Sequence, residues 1–200
     1  ARFALAALAI LALSVLVRNE HFPLAFRAGL VAFALFAAMR PADALLAAAV
    51  AGPFSGLLAE MLGSPPFRGY ESVMLAFLAG WLLHAQPLHR GAASRRVLLP
   101  ATLMTGLIVA SVVMLGLQLH AADAAFFWKT AADLRTAYLW TSDLTGVIEG
   151  ANIIVGLLVL IAVVELTEYD SGVAFSLIKM MVVAAAFATA LSLLLAAGIG

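Results

Sequence analysis

The chain has 200 residues, 65% of them hydrophobic and 11% charged, with a mean hydropathy of +1.11. A soluble domain is about half apolar and about a quarter charged; no aqueous core of this length hides so much apolar surface, so the bilayer is the solvent. The 11 basic and 11 acidic residues cancel, so nothing suggests a nucleic-acid partner, and the absence of cysteine excludes disulfides, thiolate metal sites and a cysteine nucleophile.

Seven segments approach the length of about 20 apolar residues that a spanning helix needs: 2–17, 24–39, 41–62, 70–86, 97–119, 145–166 and 173–199. Val, Leu and Ala dominate them without two-residue alternation, so outer-membrane strands do not fit. The expected architecture is all-α: a polytopic transmembrane bundle of about seven spanning helices forming one domain over residues 1–200. The first segment starts at Arg2 but lacks a small-x-small cleavage pattern, so it reads as a retained helix and not a signal peptide. The second carries Arg27 in its first turn. Arg40-Pro41 then predicts a tight turn, with Pro41 opening the third helix where its missing N–H costs nothing. Gly52 and Pro53 predict a kink or unwinding along that third helix.

Further on, the loop "HAQPLHRGAASRR" holds Arg90, Arg95 and Arg96 and marks the cytoplasmic side. Counting outward from it puts Arg2 and Arg40 with that cluster, and Arg18, Arg68, Lys129 and Arg135 on the other face, five against four. The amino terminus is then inside. The long outer loop repeats apolar residues at helical spacing (Phe127, Ala131, Leu134, Tyr138) between Trp128 and Trp140, which predicts one outer interfacial helix. The last inner loop, "ELTEYDSG", is short and acidic. Both ends of the chain look cut, which leads us to expect part of something longer.

Ionisable residues at membrane depth are expensive, so their placement is informative. In this topology Arg27, Glu60, Arg68, Glu71 and Glu149 fall at or just below the outer face, a polar rim drawn from several segments. Glu149 opens the sixth helix, and Asn152 three residues on shares its face. Gly146 and Gly150, four apart, allow a neighbouring helix to come close. Each piece also has a plainer reading. Arg27 can snorkel to headgroups, Glu60 and Glu71 can mark helix ends beside Pro65-Pro66, and Glu149 can be a structural partner. Lys179 is expected to snorkel or to pair with Glu165, Glu168 or Asp170. His84 and His89 are poorly spaced to share a metal, and His21 and His120 are isolated. Neither GxSxG, HExxH, a Walker loop nor a Gly-rich dinucleotide turn is present, and no acidic cluster would hold a metal on a diphosphate. Arginine suits a metal-free phosphate site, because its planar fork binds phosphate oxygens two at a time and stays charged.

The run "PFSGLLAEMLGSPPFRGYESVMLAFLAGWLLHA", followed after the outer loop by "GVIEGANIIVGLLVL", resembles the amino-terminal half of the bacterial O-antigen ligase and O-antigen polymerase superfamily. Arg68, Glu71, Gly80-Trp81 and Glu149-Gly150 carry the likeness. It implies a multi-pass bacterial inner-membrane glycosyltransferase that needs no metal or other cofactor. Its partners would be membrane lipids and a polyprenyl-diphosphate-linked glycan, bound through Arg27, Arg68, Glu71, Arg135 and Glu149 at the periplasmic face. The family's large periplasmic loop belongs to a carboxy-terminal half that is expected beyond these residues. A transporter or flippase subunit, with Arg27, Glu149 and Lys179 as sites, and a non-catalytic structural subunit are the other readings.

Overall fold

The computed structural model describes residues 2–18, 22–54, 69–84, 92–122, 124 and 145–196. Among the described residues the chain forms helices and no strands: α1 (Arg2–Val17), α2 (Leu24–Met39), α3 (Pro41–Ala51) followed by a 3-10 turn (Gly52–Phe54), α4 (Gly69–Leu83), α5 (Ala92–Ala122), α6 (Thr145–Tyr169) and α7 (Ser171–Ala196). Two of the connections need a single residue. Arg40 ends α2 by donating its N–H to Phe36 O at 2.7 Å, and its own carbonyl accepts from Ala44 N at 3.0 Å inside α3. Pro41 takes the first helical position, where no N–H is needed. Asp170 does the same between α6 and α7: its N–H reaches Leu166 O, and its carboxylate Oδ1 accepts from Gly172 N at 2.8 Å as an N-cap.

Within apolar surroundings a hydroxyl must find its partner nearby. Ser14, Thr102, Thr105, Thr167 and Thr189 all donate back to a carbonyl three or four residues earlier, at 2.7–3.1 Å. Much of the outward surface is apolar. Phe3 is 90% exposed, and Leu24, Met39, Phe175 and Phe187 are among the many large side chains that face outward. In water such a surface would aggregate; against lipid tails it is ordinary.

α4 sits at the centre. Ala76 through Leu82 are buried consecutively, and a helix buried at seven successive positions is covered on every side. The cover comes from α1, α2, α3 and α6, with α7 flanking α3 and α6, while α5 leans on α6. The main core joins Ala37, Leu45, Phe77, Leu78, Trp81, Ala162 and Leu166, and a second cluster sets Leu13, Leu30, Ala76 and Ala79 between α1, α2 and α4.

Helix direction follows from point contacts. Arg27 near the start of α2 meets Val17 at the end of α1. Gly80 packs on Ala34, Ala37 and Ala38, and His84 Nδ1 donates to the Ala38 carbonyl at 2.7 Å, so α2 and α4 run the same way. Gly52 lies on the Tyr70 ring, Asn152 bonds Glu71, and Phe54 meets Phe187 with ring centroids 6.0 Å apart. One end of the bundle, the Arg27 end, therefore gathers the ends of α1 and α3 and the starts of α2, α4 and α6. The His84 end gathers their opposite termini.

The expectation of about seven spanning helices needs correction. The seven segments correspond to seven helices, but among the described residues only three are long and apolar enough to cross a membrane: Arg96–Ala122, Glu149–Tyr169 and Ser171–Leu193. The stretches Phe3–Val17, Leu24–Met39, Pro41–Phe54 and Tyr70–Leu83 are apolar but shorter. The reason is termination. Arg40-Pro41 closes α2 at 16 residues, about 24 Å of rise, and the expected unwinding at Gly52-Pro53 closes α3 after 11. Of the segment expected over 41–62, α3 and the 3-10 turn up to Phe54 are described, and the rest of it lies outside the described residues.

Candidate functional site

Polar side chains lie at both ends of the bundle: His84 and buried Glu165 at one, and Arg27, Glu71, buried Ser72 and Asn152 at the other. Arg27 stands in the first turn of α2, half-buried, and its Nη1 donates to Val17 O at 3.5 Å, the limit of a hydrogen bond. Its Nε is buried and has no hydrogen-bond partner. Among the described residues Arg27 makes no ion pair. The buried Nε is a charged donor left without a partner, an arrangement that costs stability unless something else completes it.

Glu71, in the first turn of α4, lies beside fully buried Ser72, and its Oε1 accepts from Asn152 Nδ2 of α6 at 3.1 Å. That bond crosses from the central helix to a spanning one. Pre-Glu71 Tyr70 lays its ring against Gly52, so the break after α3 and the start of α4 are packed together at the same level. The Glu71–Asn152 bond was not evident in the sequence. An asparagine in an otherwise apolar run was the available signal, but its partner lies 81 residues away.

Glu149 and Asn152 were expected to share a face, and in the structure they part. Asn152 turns to α4, whereas Glu149 is exposed and lines a groove between α5 and α6. The groove has a volume of about 330 Å³ and is walled by Leu107, Ile108, Ser111 and Val112 of α5 with Gly150 and Ile153 of α6. Gly150 makes the close approach expected of it: a Cβ there would lie 2.7 Å from Val112 Cγ2. The Gly80-Trp81 pair has a packing task. A Cβ on Gly80 would lie 2.1 Å from Ala34 O, and Trp81 is 4% exposed in the core.

Of the expected binding residues, Arg27, Glu71 and Glu149 are thus at one end of the bundle, in three different local settings. Arg68 and Arg135 lie outside the described residues, as do Glu60, Lys129, His89 and the interfacial helix expected between Trp128 and Trp140. Lys179 is exposed on α7 and makes no ion pair among the described residues; Asp170, one of its expected partners, caps α7 instead. Glu165 is 4% exposed at the His84 end of α6. Among the described residues no three His, Asp or Glu side chains are grouped to hold a metal ion.

No protein-family model, curated protein or solved structure matches this chain.

Proposed function

We propose that the chain is a membrane-embedded glycosyltransferase, or the amino-terminal half of one, that takes a glycan from a polyprenyl-diphosphate donor in the manner of O-antigen ligases and polymerases. The observation that carries this reading is Arg27: a guanidinium with a buried, unpartnered Nε is suited to an anionic headgroup entering from the membrane. At the same end Glu71 and Glu149 can accept from hydroxyls of the glycan, and Arg68 and Arg135 are proposed to join Arg27 at the diphosphate from segments outside the described residues.

In the reaction an acceptor hydroxyl attacks the anomeric carbon. The bond from that carbon to the diphosphate oxygen breaks, the diphosphate leaves on its lipid, and the hydroxyl proton passes to a base. The arginines offset charge on the departing diphosphate, an effect of about 3 kcal/mol per well-placed donor in a partly dry site. The mid-section of the bundle favours one-sided chemistry over passage. Phe77, Leu78 and Ala76 are at most 1% exposed and fill the space between the two ends.

The test uses the purified chain in lipid nanodiscs with undecaprenyl diphosphate as the probe and inorganic diphosphate as the headgroup-only control. Arg27→Ala is expected to weaken binding of the lipid about tenfold or more, with Arg27→Lys intermediate. Equal binding by wild type and Arg27→Ala at equal folded yield would remove the reading. Absence of any binding by the wild type would favour a structural subunit.

A further inference from the structure

Asn152 Nδ2 of α6 donates to Glu71 Oε1 of α4 at 3.1 Å, and we infer that Asn152 is a positioning residue that sets the direction of the Glu71 carboxylate at the Arg27 end. The inference deepens the proposed reading and rests on it for the identity of the ligand. Glu71 has three side-chain torsions and stands in the first turn of α4, so its carboxylate has several low-energy directions. A bond from Asn152 Nδ2 to Oε1 at 3.1 Å selects among them.

The donor is itself well anchored. Asparagine has two torsions, and the helix that carries it is seated in the core through Val155, Leu158, Val159, Ala162 and Leu166, one to four turns further along. Glu71 meanwhile begins the helix that is covered on every side. A carboxylate and its donor are thus mounted on two elements that do not shift independently, the arrangement a site needs if its polar groups are to be aimed before the ligand arrives. Glu149, one turn before Asn152, lines the groove against α5.

The chemistry of the pair supplies a test that separates aiming from simple helix adhesion. Glu71→Gln keeps an acceptor for Asn152 and loses the charge. Asn152→Ala keeps the charge and loses the donor. The exchange Glu71→Gln with Asn152→Asp restores one hydrogen bond between the helices, now donated from α4, but moves the carboxylate onto α6. The infrared carboxyl band that disappears in Glu71→Gln identifies Glu71, and the chain is again held in nanodiscs with undecaprenyl diphosphate as the probe.

Asn152→Ala is expected to shift the Glu71 band and to weaken binding about 3- to 15-fold, the range for polar contacts between membrane helices. The exchange variant is expected to recover the thermal stability of the wild type without recovering its affinity. An unmoved Glu71 band in Asn152→Ala overturns the inference, as does wild-type affinity in Asn152→Ala when Glu71→Gln binds weakly. If the wild type does not bind the probe but Asn152→Ala still shifts the band, the positioning contact stands and the polyprenyl-diphosphate reading falls.

Discussion

Two seams in this molecule are each built on a glycine, and they behave differently. At the α2–α4 seam, Gly80 brings backbone onto backbone: the atoms a Cβ would strike are Ala34 O at 2.1 Å, Ala37 Cβ at 2.6 Å and Ala38 N at 2.8 Å. At the α5–α6 seam, Gly150 meets only the ends of side chains, Val112 Cγ2 at 2.7 Å and Ile108 Cγ2 at 3.4 Å. The first seam is closed by a further bond from His84 to Ala38, and both of its helices are part of the core. The second borders an open groove and carries a helix that is exposed along most of its length. Small residues let membrane helices approach, but what they approach decides whether the contact is rigid or adjustable.

Placing the same methyl group in both seams breaks this comparison most directly. Gly80→Ala is expected to destabilise the bundle by about 3 kcal/mol, because neither Ala34 O nor Ala38 N can move without moving α2. Thermal unfolding in nanodiscs would measure it, and a stability equal to wild type would show that the seam yields. Gly150→Ala is expected to fall within about 1 kcal/mol of wild type, since Val112 can rotate aside and alanine favours helix over glycine by a similar amount. Smallest of all, Val112→Ala added to Gly150→Ala should bring the pair to within about 0.5 kcal/mol of Val112→Ala alone. A loss at Gly150 as large as that at Gly80 would place both seams in the same class.

Much of the helix layout was readable in the sequence. The bounds of α1 and α2 match the apolar segments, because Arg40-Pro41 and the polar stretch after Val17 interrupt the chain locally. The break at Gly52-Pro53 was readable for the same reason. The start of α5 was not: helix begins at Ala92, before the apolar run at 97, because Ala, Ser and Arg sustain a helix that hydropathy alone reads as loop. Span number was misjudged because a count of apolar residues ignores what terminates the helix. Partners were less legible still. Nothing near Gly80 in the chain indicates Ala34, and nothing near Asn152 indicates Glu71, since both contacts form only when distant helices pack. Gathering Arg27, Glu71 and Glu149 at one end followed from counting spans, whereas their separate local settings depend on side-chain direction.

The unequal helix lengths also have a consequence for the surrounding lipid. α2, bounded by Pro23 and Arg40-Pro41, rises about 24 Å while α5 rises about 46 Å, against a hydrocarbon layer of about 30 Å. Lipid beside α2 must thin, and α5 must tilt or extend into the headgroups. Acyl-chain length would then act on the protein as a mechanical load. Shorter chains relieve the compact side, longer ones strain it, and the molecule should partition toward thinner regions of a mixed membrane.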